Sequence, residues 1–270
     1  MIRRLSLSDH EACFRLLKTR PAENLFIIGD IEAFGYDQSF QKLWGEFNSQ
    51  GELIAVLLKY EQNYIPFASG PFHAEKFAEI MCSDPEFSMM SGLKEMTAMI
   101  EPFLTRKQQR KRETYYAKCT RIGFGITAAA DTSNVKQAVP DDADAILRFL
   151  KTIPEFNDGM GTVESKRRNL GRGTSRTFYI EDEGEIVSTA STAAENSLSA
   201  MIVAVATSAS HKRKGLASQC LVKLVRELLD EGKQLCLFYD NPEAGSIYKR
   251  IGFEDIGFWM MYTYEKEEGK

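Results

Sequence analysis

Residues 203–253 read VAVATSASHKRKGLASQCLVKLVRELLDEGKQLCLFYDNPEAGSIYKRIGF, and this stretch decides the fold. The apolar, β-branched run from Met201 to Ala206 has the length and composition of a buried strand. The basic turn His211-Lys212-Arg213-Lys214-Gly215-Leu216-Ala217 follows, and a helix begins within it. Ala217, Leu221, Leu224 and Leu228 recur at helical spacing, with Lys223, Arg226, Glu227 and Asp230 opposite and Gly232 as a left-handed stop. A strand that enters a helix through a glycine turn points unpaired backbone N–H groups and the positive helix end outward. That arrangement suits an anion, and Lys212, Arg213 and Lys214 add charge fit for a polyphosphate. Gly215 lets a ligand approach the backbone, where a side chain would hold it off. Many strand–turn–helix units bind nothing, so the turn alone does not fix a ligand.

The next unit narrows the choice. A second apolar strand, Gln234 to Tyr239, leads into a helix with Asn241 as N-cap, Pro242 at its first position and Gly252 at its stop. Ala244, Ile247 and Ile251 form its buried stripe, with Tyr248 beside that stripe at the open end of the sheet. Together the two blocks resemble the acyl-CoA-binding half of the GNAT N-acetyltransferase superfamily. That family's turn has the form Arg/Gln-x-x-Gly-x-Gly/Ala, matched here by Lys212-Arg213-Lys214-Gly215-Leu216-Ala217. Lysine at the first position keeps the charge but loses the planar fork of arginine. The family's later helix follows an Asn and carries a Tyr before a Gly-Phe pair, matched by Asn241, Tyr248, Gly252 and Phe253.

The resemblance implies an α/β fold: a mixed, splayed β-sheet flanked by helices. It also implies acetyl-CoA as cosubstrate. The phosphates fall to the backbone N–H groups of Lys212, Arg213, Lys214, Gly215, Leu216, Ala217 and Ser218, with Asn241 and Ser246 as further cofactor contacts. The pantetheine arm falls to the strand end Val205, Ala206 and Thr207, as an added strand pairs with a sheet edge. A backbone N–H near Val205 is the natural donor to a developing oxyanion, and Tyr248 the acid that helps the thiolate leave.

Composition bounds the rest. A chain of 270 residues, 43% hydrophobic and 27% charged, reads as soluble and globular, with room for one large or two ordinary domains. A net charge of −4 argues against a dedicated nucleic-acid binder. No apolar run reaches membrane-spanning length, and the start lacks a signal-peptide core, so a cytoplasmic location is expected. Five cysteines without a Cys-x-x-Cys pair read as reduced thiols, and three histidines without ligand spacing give no metal site. The expected partners are therefore acetyl-CoA and an amine-bearing small molecule or peptide, with no nucleic acid, no membrane, and a monomeric or homodimeric chain.

Internal repetition extends the reading to the first half. SDHEACFRLL (8–17) and DDADAILRFL (141–150) match at Asp9/Asp142, Ala12/Ala145, Arg15/Arg148 and Leu17/Leu150, each after a short strand. Glu23–Gly35 reads as a helix and Gln41–Phe47, Leu53–Lys59 and Tyr64–Ala68 as strands. Ala74–Met81 and Leu93–Phe103 read as helices, and Phe87–Met90 and Glu113–Cys119 as strands. Residues 1–127 thus read as a degenerate GNAT-like domain and 128–270 as the cofactor-binding catalytic domain. In the first, Ser69-Gly70-Pro71-Phe72-His73 stands where the basic turn belongs, and Pro71 removes a donor. The run Arg106–Arg112 reads as a solvated loop and edge-strand guard rather than a nucleic-acid patch. The Arg-Ile-Gly-Phe at 121–124 repeats 250–253 but follows a strand, which reads as coincidence. In the second half, Thr177–Ile180 and Ile186–Ala193 read as strands, and Pro154–Arg172 as the acceptor-reading segment by resemblance.

The reaction expected is acetyl transfer from acetyl-CoA to a primary amine by direct attack. An alkylamine must first lose a proton, yet Leu198 to Ala206 holds no acid. Glu195 reads as a solvated turn residue, and Glu155 and Asp158 lie in the acceptor segment, so no base is assigned. That gap leaves a second reading open, a non-catalytic acyl-CoA-binding GNAT-like sensor or interaction module. A Gly-x-Ser-x-Gly elbow and a Walker-type spacing around Lys214-Gly215 are both absent.

Overall fold

The computed structural model of the chain describes residues 1–123, 131–156 and 161–266. Asp158 and the side chain of Ala244, both named above, lie outside the described residues and atoms. The first half contains β1 (Ile2–Arg4), α1 (His10–Leu17), α2 (Leu25–Phe34), β2 (Gln41–Phe47), β3 (Leu53–Tyr60) and β4 (Asn63–Ala68). It continues through α3 (Ala74–Cys82), β5 (Met89–Leu93), α4 (Lys94–Ile100) and β6 (Gln108–Cys119). The second half contains β7 (Lys136–Gln137), α5 (Ala143–Lys151), α6 (Val163–Arg172), β8 (Thr177–Asp182), β9 (Glu185–Ala193) and β10 (Ser199–Thr207). It ends with α7 (Leu216–Asp230), β11 (Gln234–Tyr239), α8 (Pro242–Ile251) and β12 (Glu254–Tyr264). The two lists have the same order: one strand, two helices, three strands, then helix, strand, helix, strand.

The likeness extends to the capping chemistry. Asp9 accepts the backbone N–H of Ser6 at 3.0 Å, and Asp142 accepts that of Val139 at 2.8 Å. Each carboxylate closes the entry to its helix from three residues inside, so the Asp9/Asp142 match has a physical role. In each half, three antiparallel strands (β2-β3-β4 and β8-β9-β10) are followed by a parallel neighbour reached through a helix. Each parallel pairing is brief. β4 and β5 pair only at Asn63↔Met89 and Tyr64↔Met90, and β10 and β11 only from Ser199↔Gln234 to Met201↔Cys236.

The chain divides into two compact units, Met1–Tyr116 with Ile256–Lys270, and Ala117–Asp255. The sequence reading places its cut near residue 127 and leaves the tail of the chain without an element. The structure instead puts β12 in the first unit, where Trp259–Thr263 pair antiparallel with Leu93–Met89. Trp259, Met260, Tyr262 and Tyr264 are buried there, and Tyr262 donates to Glu101 at 3.0 Å. The last residues of β6, Ala117–Cys119, belong to the second unit. Each half therefore gives part of its closing strand to the other unit.

Other departures are local. Gln108–Arg112 open β6 as exposed strand residues rather than a loop, and Arg106 donates to the carbonyls of Asp84, Pro85 and Phe87. The repeated Arg-Ile-Gly segments meet within the second unit, where Gly123 N donates to Ile251 O at 2.9 Å. Gly252 has φ +123°, and a Cβ there would lie 2.4 Å from the Arg121 carbonyl, so glycine is required twice over. All five cysteines are free, and burial pushes the thiols of Cys13, Cys119 and Cys220 up.

Asp9 tests the capping account. Its carboxylate meets the Arg3 guanidinium at 2.9 and 2.5 Å, which holds its pKa down at about 2. A carboxylate depressed in the folded state adds stability that is complete above about pH 4 and lost as pH falls toward 2. Asp9→Asn should therefore lower stability by about 1–2 kcal/mol at pH 7, allowing for solvent screening at the half-exposed Arg3. Urea titrations at falling pH should show the difference from wild type shrink and vanish near pH 2.

Candidate functional site

The site is built where β10 and β11 separate. Their pairing stops at Met201↔Cys236, while β10 runs on to Thr207 and β11 to Tyr239. Backbone groups beyond that point face an opening instead of a ladder. Within it, β10 carries a bulge between Val203 and Ala206, with Ala204 in the left-handed region at φ +51°. Five non-glycine residues among those described have positive φ. Glu61, Glu183 and Ala194 lie in hairpin turns, but Ala204 and Arg213 lie in this strand and the turn that follows it. Strain of about 1–2 kcal/mol at each marks the segment as held by its surroundings. The holding groups are hydroxyls on β9. Thr189 Oγ1 donates to the Ala204 carbonyl at 2.9 Å and Ser188 Oγ to the Ala206 carbonyl at 2.8 Å, one on either side of Val205.

Beyond Thr207 the chain makes the basic turn and enters α7. Arg213 (φ +66°) and Gly215 (φ +80°) are both left-handed, so successive N–H groups curl toward one side. A Cβ on Gly215 would meet no protein atom within 4 Å and would project into open space. The first intrahelical bond of α7 is Gln219 N to Gly215 O, which leaves the preceding N–H groups available to a ligand. His211 braces the turn. Its Nε2 lies 2.9 Å from Asp182 Oδ2 and its Nδ1 lies 2.8 Å from Ser208 Oγ.

A cleft of about 670 Å³ opens here, a size suited to a cofactor. It brings together Thr207, Lys212, Arg213, Gly215, Leu216, Ala217, Ser218 and Asn241 from the sequence-derived set. Val205, Ala206, Lys214 and Ser246 lie outside its lining. Ala206 packs into the core against α5, Lys214 is exposed, and Ser246 donates to the Glu243 carbonyl at 2.7 Å. The cleft adds His211, Glu243, Ile247 and Arg250, which sequence reasoning did not select. The last three recur at four- and three-residue spacing on α8, so its helical face, counted from the Asn241 cap, was the available signal. Asn241 caps α8 by accepting from Glu243 N at 2.9 Å.

Tyr248 lies on α8, its ring 6.0 Å from that of Tyr239 and 6.0 Å from that of Phe253 between centroids. Its hydroxyl has no hydrogen-bond partner among the described residues, and burial pushes its pKa up. The proton therefore stays on the phenol at neutral pH. Glu195 corrects a sequence expectation. Rather than being solvated, its side chain is buried, accepts from Thr192 Oγ1 at 2.5 Å, and pairs with Lys233 at 3.0 Å and Arg176 at 3.2 Å. Arg176 also holds Glu231, whose carboxyl falls to about 2. Glu195 is thus committed to a charge network, whereas Glu155 is exposed.

The corresponding junction of the first unit, between β4 and α3, is built differently. The carboxylate of buried Glu46 accepts the backbone N–H of His73 at 2.9 Å and meets the His73 ring at 2.5 Å. An internal anion already sits at the entry of α3, where a phosphate would otherwise be drawn.

A family model described as GNAT acetyltransferase matches residues 48–262. No curated protein matches the chain. Among solved structures, a Drosophila protein is similar at 12% identity with a TM-score of 0.70, covering 99% of each chain. A tandem GNAT protein from the clavulanic acid biosynthesis pathway is similar at 11% identity and a TM-score of 0.58, covering 100% of this chain and 99% of that one. A GCN5-related N-acetyltransferase-like protein from Streptococcus suis is similar at 17% identity and 0.53, covering 96% and 99%. At these identities the likeness is one of fold: a splayed, mixed sheet flanked by helices.

If Thr189 holds the bulge, Thr189→Val should leave the Ala204 carbonyl unpaired and destabilise the protein by about 1–3 kcal/mol. Hydrogen exchange should then quicken at residues 203–206 more than elsewhere in β10. Uniform quickening along the strand would show that the bulge is held by something else.

Proposed function

The chain belongs to the GNAT acetyltransferase family, and on that premise we propose that it moves an acetyl group from acetyl-CoA to a primary amine by direct attack. One observation carries this reading. The splay of β10 and β11, the bulge at Ala204 and the left-handed turn at Gly215 all fall along one strand–turn–helix segment. Each would serve a different part of a thioester cofactor.

The residues present fit such a group. Open space at Gly215, unpaired N–H groups at the start of α7 and the cations Lys212, Arg213 and Arg250 would hold phosphates. Glu243 in the same lining opposes them and limits how tightly they are held. The backbone of Val205, Ala206 and Thr207, without a strand partner on the β11 side, would pair there with an extended amide arm. Acetyl-CoA, when bound, supplies an acyl group activated as a thioester. The strained segment around Val205 then directs a main-chain N–H at the oxygen on which negative charge develops. Tyr248, protonated and free of other hydrogen bonds among the described residues, gives a proton to the departing sulfur. The amine loses its own proton to water or to a group of the acceptor segment, because Glu195 is occupied.

A second reading has an observation in its favour. Among the described residues of β10 there is no acid, and the nearest in sequence, Glu195, is locked in ion pairs. A protein that binds acyl-CoA as a sensor or docking module needs no base. Release of thiol from acetyl-CoA across a panel of amines separates the two readings: amine-dependent turnover supports the transferase, and binding without turnover supports the sensor.

Two variants test the assignment. Gly215→Glu places a carboxylate among the phosphate-holding groups, so acetyl-CoA should no longer raise the melting temperature. No residual protection should come from the first unit, where Glu46 fills the corresponding position. Tyr248→Phe should lower kcat by roughly 10²–10⁴-fold with little change in the affinity for acetyl-CoA. An unchanged kcat would make Tyr248 a packing residue.

A further inference from the structure

Lys166 is the one basic side chain of α6 drawn in toward the sheet. Arg167, Arg168 and Arg172 on the same helix are exposed, and Glu164 is its only acid. The Lys166 ammonium donates to Thr177 Oγ1 on β8 at 2.7 Å, and that hydroxyl lies 2.8 Å from Ser191 Oγ on β9. Thr177 and Ser191 are both buried. No carboxylate among the described residues lies within ion-pair distance of Lys166, and burial brings its pKa down to about 8.

Strand register says where this lysine stands relative to the bulge. Thr177 pairs with Ser191, and Ser191 pairs with Val203, so the three side chains form one row on one face of the sheet. It is the face packed by α5, because Tyr179, two residues beyond Thr177, shares a core with Ile146, Phe149 and Leu150. At one end of the row, Val203 is exposed and adjoins the bulge at Ala204. At the other end stands Lys166. Two strand spacings separate them, roughly 10 Å.

A partly desolvated cation held by one hydroxyl is unfavourable unless a counter-charge arrives. The arginines of α6 make the surrounding field positive, which draws in an anion and repels a second cation. We propose that Lys166, with the Thr177–Ser191 hydroxyls beneath it, anchors an acidic group of the acceptor, so that the amine acetylated belongs to a small molecule bearing a carboxylate or phosphate about 10 Å from the reacting nitrogen. This rests on the transferase reading above and names its substrate class.

The test compares kcat/KM for three series of rising chain length: n-alkylamines, ω-amino carboxylates and ω-aminoalkyl phosphates. Wild type should prefer an acidic amine over the alkylamine of equal length by about tenfold or more, most strongly near the 10 Å span, and the better acid identifies the group. Lys166→Met should erase that preference by raising KM for the acidic amine, leaving KM for the alkylamine and protection by acetyl-CoA unchanged. Lys166→Gln, which keeps a polar group over Thr177, should do the same and serves as the second variant if methionine impairs folding. Acetylation with no preference for acidic amines, or a preference that survives both variants, overturns the anchor and leaves the transferase intact. A protein that binds acetyl-CoA but releases no thiol with any amine overturns both.

Discussion

The site depends on a pairing that stops. Parallel strands β10 and β11 share three residue pairs and then part, although each continues. Backbone N–H and C=O groups are rarely left without partners, so strand backbone facing an opening is a standing demand for an extended ligand. The bulge at Ala204 and the turn to Gly215 follow from the same departure. Once β10 is free of β11 on one side, β9 alone sets its shape, and the hydroxyls of Thr189 and Ser188 hold the kink from that side. Hydrophobic packing of α5 and α7 supplies the stability against which this strain is maintained.

The two halves show how one architecture carries or loses such a site. Ten elements recur in the same order, with matched acidic caps and the same brief parallel pairing. The difference lies in the turn. Residues 208–215 are basic and contain two left-handed positions, whereas residues 69–73 contain Pro71 and end at a helix already served by Glu46. The closing strands also cross the division between units: most of β12 falls in the first unit and the last residues of β6, Ala117–Cys119, in the second. β12 supplies Trp259, Tyr262 and Tyr264 to the core of the first unit, so neither sequence half contains all the elements of its own compact unit.

Much of this was legible in the sequence because it is local. The borders of β2 and β11 follow from runs of leucine and aromatic residues between turn residues, and α7 and α8 from helical spacing, caps and glycine stops. The Gly215 turn was legible because left-handed backbone and close approach both select glycine. What escaped depends on distant partners. β12 is an alternating run whose partner, β5, lies far back in the chain, and nothing near Glu254–Tyr264 names it. Glu195 reads as a turn acid until Arg176 and Lys233 are brought beside it. Lys166 reads as one more charge on a polar helix until Thr177 is seen beneath it.

A structure of the protein crystallised with coenzyme A tests the central claim most directly. The account predicts the pyrophosphate on main-chain N–H groups between Arg213 and Ser218, with the pantetheine arm lying along Val205–Thr207 in the gap between β10 and β11. A nucleotide seated elsewhere, or a gap closed by its own side chains with the arm outside it, would contradict the account.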